Sequence, residues 1–273
     1  MSDLTAETKR SMIFQAITMA RLSSWIYGRD GKDGYPKQIP PIENVDALIL
    51  IGNKETDTQG AAIVTPTKIY FVFRGSESIF TRSGLKDWIT NSKVLRKVEY
   101  FGIKAHRGFV SAAMSVLADI GAVLDMYPDR LEIEFGGHSL GGNVATGAAV
   151  AVVHELRRRR DPRKCALVTL GQPRFSTRRQ LNLALRFVPY LRVQNGSDIV
   201  PGVPKLGYSH AGTNIYIPNN PRDVKGKAST LDDLAWFDPS GFAKFRDRAF
   251  TFFERGTDHK SMDYINSLVR AAV

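Results

Sequence analysis

A serine lies between glycines in Gly137-His138-Ser139-Leu140-Gly141. A serine hydroxyl is a poor nucleophile at neutral pH. It becomes effective when a histidine takes its proton and a carboxylate fixes that histidine's tautomer. The G-x-S-x-G pattern is weak alone, because Gly-rich turns also carry idle serines. Its context strengthens it: the short apolar run 131–135 precedes the motif, and a stretch of small and apolar residues, 143–156, follows it. A strand, a sharp turn and a helix in that order push the serine outward. The flanking glycines remove the side chains that would clash in the turn, and the helix directs its positive end at the site.

A nucleophile on such a turn is expected in α/β-hydrolase order, with the acid and then the base downstream of the serine. Asp198 follows a predicted strand, 190–194, in Asn195-Gly196-Ser197-Asp198-Ile199-Val200-Pro201. A carboxylate just beyond the C-terminal end of a strand is where a site on a parallel sheet forms. Asp238, in an Asp-Pro turn, is the weaker rival. Two histidines follow Asp198. His259, on a loop edge before a predicted final helix at 262–270, is the expected base. His210, close behind Asp198 and two residues before Gly212, is expected to line the pocket or to satisfy backbone groups. His106, His138 and His154 lie upstream, and His138 should project away from Ser139 across the turn. The tetrahedral intermediate needs donors for its oxyanion. The N–H of Leu140 supplies one, and the strand-end turn Phe73-Arg74-Gly75-Ser76 offers a second through Ser76.

These residues need a scaffold, and the pattern of the chain predicts one. Apolar residues at helical spacing predict an amphipathic helix over 11–27, followed by a Gly/Pro-rich loop, 28–41. Runs at 47–51, 61–65, 68–73, 131–135, 166–170 and 190–194 read as strands. Stretches at 109–127, 143–156 and 177–187 read as helices. Strands alternating with helices predict an α/β fold with a mostly parallel central sheet flanked by helices. One such domain accounts for residues 1–273, with an aromatic, turn-interrupted excursion at about 219–250. In that excursion Trp236, Phe237 and Phe242 are candidates for an acyl pocket.

No stretch reads as the roughly 18 apolar residues of a membrane span. The polar N-terminus lacks the basic start and apolar core of a secretory signal, so the cytoplasm is the default expectation. Export by a signal-independent route, or prior removal of a leader, stays open. The single cysteine, Cys165, excludes an internal disulfide, and its apolar neighbours predict a buried, inert thiol. The formal charge is +11, and the sharpest cluster of cations is Arg157-Arg158-Arg159-Arg160, followed by Arg163 and Lys164. At the end of a predicted helix these cations suit the negative helix terminus. A membrane-surface or nucleic-acid patch is the alternative.

The motifs together resemble the class 3, fungal-lipase-like family. The resemblance rests on Phe73-Arg74-Gly75-Ser76, His106-Arg107-Gly108-Phe109, Gly137-His138-Ser139-Leu140-Gly141-Gly142, Gly171-Gln172-Pro173-Arg174, Asp198-Ile199-Val200-Pro201 and His259 before Tyr264, all in the family's order. It implies an α/β-hydrolase fold and ester hydrolysis without metal or cofactor. It implies the triad Ser139, Asp198 and His259, with Ser76 and Leu140 as oxyanion donors and His210 near the site. It also implies a lid at about 77–95, whose apolar set would be Ile79, Phe80, Leu85, Trp88 and Ile89, making transient contact with a lipid interface. Two features depart from the family pattern: a longer stretch at 78–84, and Asn143 where a small apolar residue is usual. The expected substrate is an acylglycerol or similar lipid ester. The nearest alternative is a phospholipase A1 acting on anionic membranes. A feruloyl-type esterase fits the apolar lid less well. A non-catalytic lipid- or nucleic-acid-binding protein on the same scaffold would show a disrupted triad, and no nucleic-acid recognition motif is present.

Overall fold

The β-branched and aromatic runs pair into one twisted sheet, in a computed structural model that describes residues 5–28, 35–75, 96–196, 198–217, 235–237, 264–266 and 268–269. Its strands are β1 (Ala47–Asn53), β2 (Thr58–Val64), β3 (Lys68–Phe73), β6 (Glu132–His138), β7 (Lys164–Leu170), β8 (Tyr190–Asn195), β9 (Thr213–Ile217) and β10 (Ala235–Phe237). They lie in the order β1-β2-β3-β6-β7-β8-β9-β10. The run from β3 to β9 is parallel, and antiparallel pairs close both ends. Strands covered on both faces should be apolar almost throughout, and β2 and β7 are. A separate hairpin joins β4 (Lys97–Tyr100) to β5 (Ile103–His106).

Helices cover both faces. α1 (Ala6–Trp25) begins where the Thr5 hydroxyl accepts the Thr8 N–H at 3.2 Å, a side-chain N-cap. It buries Ile13, Ile17, Met19, Ala20 and Leu22 in one core together with Val72, Val168, Leu191 and Ile215. The opposite face carries α2 (Arg107–Met114), α3 (Leu117–Met126), α4 (Leu140–Arg159) and α5 (Arg178–Ala184). There Phe71, Phe73, Phe135 and Leu167 pack against Val144, Ala145, Ala148 and Ala149 of α4. The alternation of side chains along each strand decides which core a residue joins.

The structure departs from the sequence expectations in four places. The predicted helix 109–127 is two helices, broken where Ser115 Oγ bonds back to the Ala112 carbonyl at 2.8 Å. Contrary to expectation, 107–126 taken as one stretch is long and apolar enough to span a bilayer by length and composition. Scattered polar residues hid this in the sequence. The break and the burial of Phe109, Val110, Ile120, Val123 and Leu124 in the core account for its hydropathy without a membrane. The hairpin β4–β5 and strand β9 escaped the sequence pattern. The hairpin strands are four residues long and rich in charge, and β9 is defined by its neighbour β8. Part of the expected excursion returns to the sheet as β10, beside β9. The expected lid (77–95), Ser76, His259, Asp238, Phe242 and the rest of 219–250 lie outside the described residues, as do the side chains of Trp236 and Phe237.

Cys165 is buried and free, and burial pushes its thiol up to about 12, so it stays protonated. α4 ends at the arginine run, and Arg160 closes it in a left-handed conformation (φ 55°). The negative end of α4 therefore meets a block of cations, as the sequence suggested.

Candidate active site

The turn between β6 and α4 is tight enough to need its glycines. A Cβ at Gly141 would lie 2.1 Å from the Phe73 carbonyl oxygen, and one at Gly137 would lie 2.6 Å from it. Both contacts are with backbone and cannot be relieved by a rotamer change. The glycines thus let the start of α4 press against the end of β3. Gly141→Ala is expected to cost about 3 kcal/mol or more, at or above the upper end for overpacking a tight site, because backbone must move. A clear fall in melting temperature, or loss of soluble protein, would report it; an unchanged melt would refute the close approach.

Ser139 is the residue at the apex. Its φ of 57° and ψ of −128° place it in a region L-residues rarely adopt. Its N–H donates to the Leu170 carbonyl at 2.9 Å, which stitches the end of β6 to the end of β7. The Gly171 N–H does the same to Val193 of β8 at 3.0 Å. The strand ends therefore form one continuous C-terminal edge, and Ser139 lies on it. Leu140 is the first residue of α4, so its N–H belongs to the positive end of the helix. Gly75 backs against the serine: a Cβ there would fall 3.0 Å from Ser139 Cβ and 2.8 Å from the His138 carbonyl. The strand-end turn predicted to carry the second oxyanion donor thus reaches Ser139 at its last described residue.

Asp198 is buried beyond β8 on the same edge. Its N–H donates to the Asn195 carbonyl at 3.0 Å, and its Oδ1 accepts the Val200 N–H at 2.9 Å. Its Oδ2 accepts the Tyr264 hydroxyl at 2.5 Å. The carboxylate plane is therefore held from two sides, as a group that must orient an imidazole requires. Tyr264 is itself fully buried, with its ring edge-on to His138 at 5.6 Å between centroids. Tyr264→Phe removes one charge-assisted hydrogen bond, of roughly 1.5–3 kcal/mol, without changing the packed shape. The expected result is a fall in kcat of about tenfold, the low end of that range, with KM little changed. A kcat equal to wild type would show that the hydroxyl does not position the acid.

Tyr27, just after α1, joins the Ser139 turn to the strand-end turn at Gly75. Its hydroxyl accepts the Gly75 N–H at 3.0 Å and lies 3.1 Å from His138 Nδ1. Burial raises its pKa far above the ordinary phenol, so it stays neutral. The Arg74 guanidinium sits 5.5 Å from the ring centroid. His138 therefore turns toward Tyr27 and Tyr264 on the α1 side of the sheet. Sequence reasoning missed Tyr27, because an aromatic at the end of an amphipathic helix has no local mark of a site.

Behind the edge lies a buried amide network. Gln172 Nε2 donates to Asn143 Oδ1 at 2.6 Å and to Thr146 Oγ1 at 2.7 Å. Its Oε1 accepts the Thr169 hydroxyl at 2.8 Å and the Tyr190 hydroxyl at 2.6 Å. Asn143, polar where the family pattern has a small apolar residue, is thus one of its members. His210 donates from Nε2 to the Pro201 carbonyl at 2.7 Å and so braces the turn that follows Asp198. Burial, helped by Arg192, holds its pKa well below the usual imidazole value and keeps it neutral. Arg192, buried with Nε donating to Ala211, is lowered by burial to about 10 and stays charged at neutral pH.

The family model for Lipase (class 3) matches residues 70–208. A lipase of Rhizomucor miehei is 34% identical over 174 residues, covering 60% of this chain and 46% of that protein. Phospholipase A1-IIgamma of Arabidopsis thaliana is 27% identical over 192 residues, covering 59% of this chain and 44% of that protein. The chain spans about half the length of these curated relatives. A solved triacylglycerol lipase, described as having a serine protease triad at its catalytic centre, superposes with a TM-score of 0.59 at 25% identity. That likeness covers 80% of this chain and 83% of the other. The architecture is that of the α/β-hydrolases. Since the matched half of the chain contains the strained serine turn, the strand-end turn beside it and the buried aspartate, this chain belongs to the class 3 lipase family.

Proposed function

We propose that the chain is a serine carboxylic ester hydrolase, a lipase acting on acylglycerol esters through an acyl-enzyme on Ser139. The observation that carries the reading is the strained Ser139 on the same strand edge as the buried, doubly held carboxylate of Asp198. In this reaction Ser139 Oγ attacks the acyl carbonyl while its proton passes to His259. Asp198 holds the His259 imidazole in the tautomer that can accept it. The N–H groups of Leu140 and Ser76 receive the oxyanion. The intermediate collapses, the C–O bond to the alcohol breaks, and His259 returns the proton to the leaving alcohol. Water then attacks the acyl carbon, giving up a proton to His259; the bond to Ser139 Oγ breaks, His259 returns that proton to Oγ, and the fatty acid is released. His210 supports the Asp198 turn, and Ile79, Phe80, Leu85, Trp88 and Ile89 form the lid that meets a lipid interface.

A second reading, phospholipase A1, is favoured by the relative of that name, which matches more than half of this chain. The two separate in one head-to-head assay of purified protein on a triacylglycerol emulsion and on phosphatidylcholine vesicles. Faster release of fatty acid from the emulsion supports the lipase. Faster release from the sn-1 position of the phospholipid supports the alternative. No hydrolysis of either, or of a soluble p-nitrophenyl ester, would overturn both in favour of a non-catalytic lipid-binding role.

A further inference from the structure

The parallel strands have a second edge, opposite Ser139 and Asp198, where β3, β6 and β7 begin at Lys68, Glu132 and Lys164. A groove of about 650 Å³ runs under these strand ends, from Gln15 of α1 to the end of α4 and the segment before β8. Its carboxylates are already matched. Lys68 Nζ lies 3.1 Å from Glu134 and 3.4 Å from Glu132, and Arg163 pairs with Asp161 at 2.7 Å. Outside the groove, Arg158 and Arg159 share Glu155. Among the described residues, Arg157, Arg160, Lys164 and Arg186 have no carboxylate partner. Arg157 donates to the carbonyls of Ala184 and Arg186, which ties the end of α4 to the turn after α5 and leaves its charge uncompensated.

Apolar side chains stand among these cations. Phe187 is 85% exposed, and the Arg186 guanidinium lies 4.7 Å from its ring centroid. Its φ of 71° is unfavourable for a bulky residue, so neither packing nor backbone preference explains a phenylalanine in water there. Leu183, in the last turn of α5, is 68% exposed. Leu131, also exposed, sits beside Lys164, whose N–H it receives at 2.8 Å.

We propose that this edge is a docking surface for an anionic lipid bilayer. Phe187, Leu183 and Leu131 enter the interfacial layer, while Arg157, Arg160, Lys164 and Arg186 face the headgroups. The uncompensated charge complements acidic headgroups. The exposed apolar side chains distinguish a bilayer from a nucleic acid, which would use the charge alone. Docking there turns the catalytic edge away from that bilayer. The surface is therefore separate from any contact the lid makes and independent of the hydrolase reading.

The test is flotation of the full chain, carrying Ser139→Ala so that lipid is not consumed, with vesicles of phosphatidylcholine alone or mixed with phosphatidylserine. Binding is expected only with phosphatidylserine, falling as salt rises. The triple variant Arg160→Gln/Lys164→Gln/Arg186→Gln should lower the partition coefficient roughly 100-fold, at about a fivefold share per cation near an anionic surface. Phe187→Asn, with a residue that tolerates the left-handed backbone, should lower it about tenfold. Both variants are expected to melt with the parent protein, which separates lost docking from lost folding. Equal binding to phosphatidylcholine alone, or an unchanged partition in the triple variant, overturns the proposal. So does loss with the triple variant but not with Phe187→Asn, accompanied by tight binding to a DNA oligonucleotide; that outcome assigns the charge to nucleic acid.

Discussion

Ser139→Ala is expected to lower ester turnover on the order of a millionfold, the scale at which a serine hydrolase loses its nucleophile. The substitution is well suited to separating chemistry from folding. Alanine keeps the Cβ, so the cost of φ at 57° is already present in the wild type. The N–H bond to Leu170 is a backbone contact and survives. The Leu140 N–H and the turn at Gly75 also stay in place, so binding and oxyanion stabilisation alone should leave a residual rate roughly a thousandfold over water. The measurement is kcat/KM on a soluble short-chain p-nitrophenyl ester and on a lipid emulsion, together with covalent labelling by a fluorophosphonate. Labelling of the wild type but not of the variant identifies the nucleophile. Equal turnover by both proteins would remove Ser139 from the mechanism.

Asp198→Asn should reduce kcat about ten-thousandfold, with KM changed far less, because the imidazole is then held in the wrong tautomer. An asparagine at this position keeps one acceptor for the Val200 N–H but replaces the other oxygen, which now accepts the Tyr264 hydroxyl, by an NH₂ donor. The geometry survives and the electrostatics invert. The loss should far exceed that of Tyr264→Phe, since in the proposed mechanism the tyrosine positions the acid and the carboxylate itself holds the base. Asp238→Asn serves as the control and should turn over as wild type. Loss at Asp238 with none at Asp198 would move the acid to the later position.

The turn at Ser139 was legible because its requirements are local. A short apolar run, two glycines around a serine and a following run of small residues specify a strand, a sharp turn and a helix through covalent neighbours. Most sheet strands and the helices flanking them were legible for the same reason, since period and composition act over a few residues. The position of Asp198 just beyond a strand was legible, and so was the burial of Cys165 from the apolar run around it. Elements without such a local mark were not. The hairpin strands β4 and β5 are four residues each and carry Lys97, Glu99 and Lys104 among their apolar residues, and the break at Ser115 coincides with a side chain bonding its own helix.

The sequence by itself determined the serine turn, the alternating strands and helices, and the family to which they belong. Only the tertiary structure decided that Tyr27 reaches the Gly75 N–H, that Tyr264 holds Asp198, and that His210 braces the Asp198 turn. It also decided that Arg157, Arg160 and Arg186, without a carboxylate partner among the described residues, lie on the edge away from Ser139. The physical reason is common to all of these. They are contacts between residues far apart in the chain, set by the order in which parallel strands are laid side by side, and no local propensity encodes that order.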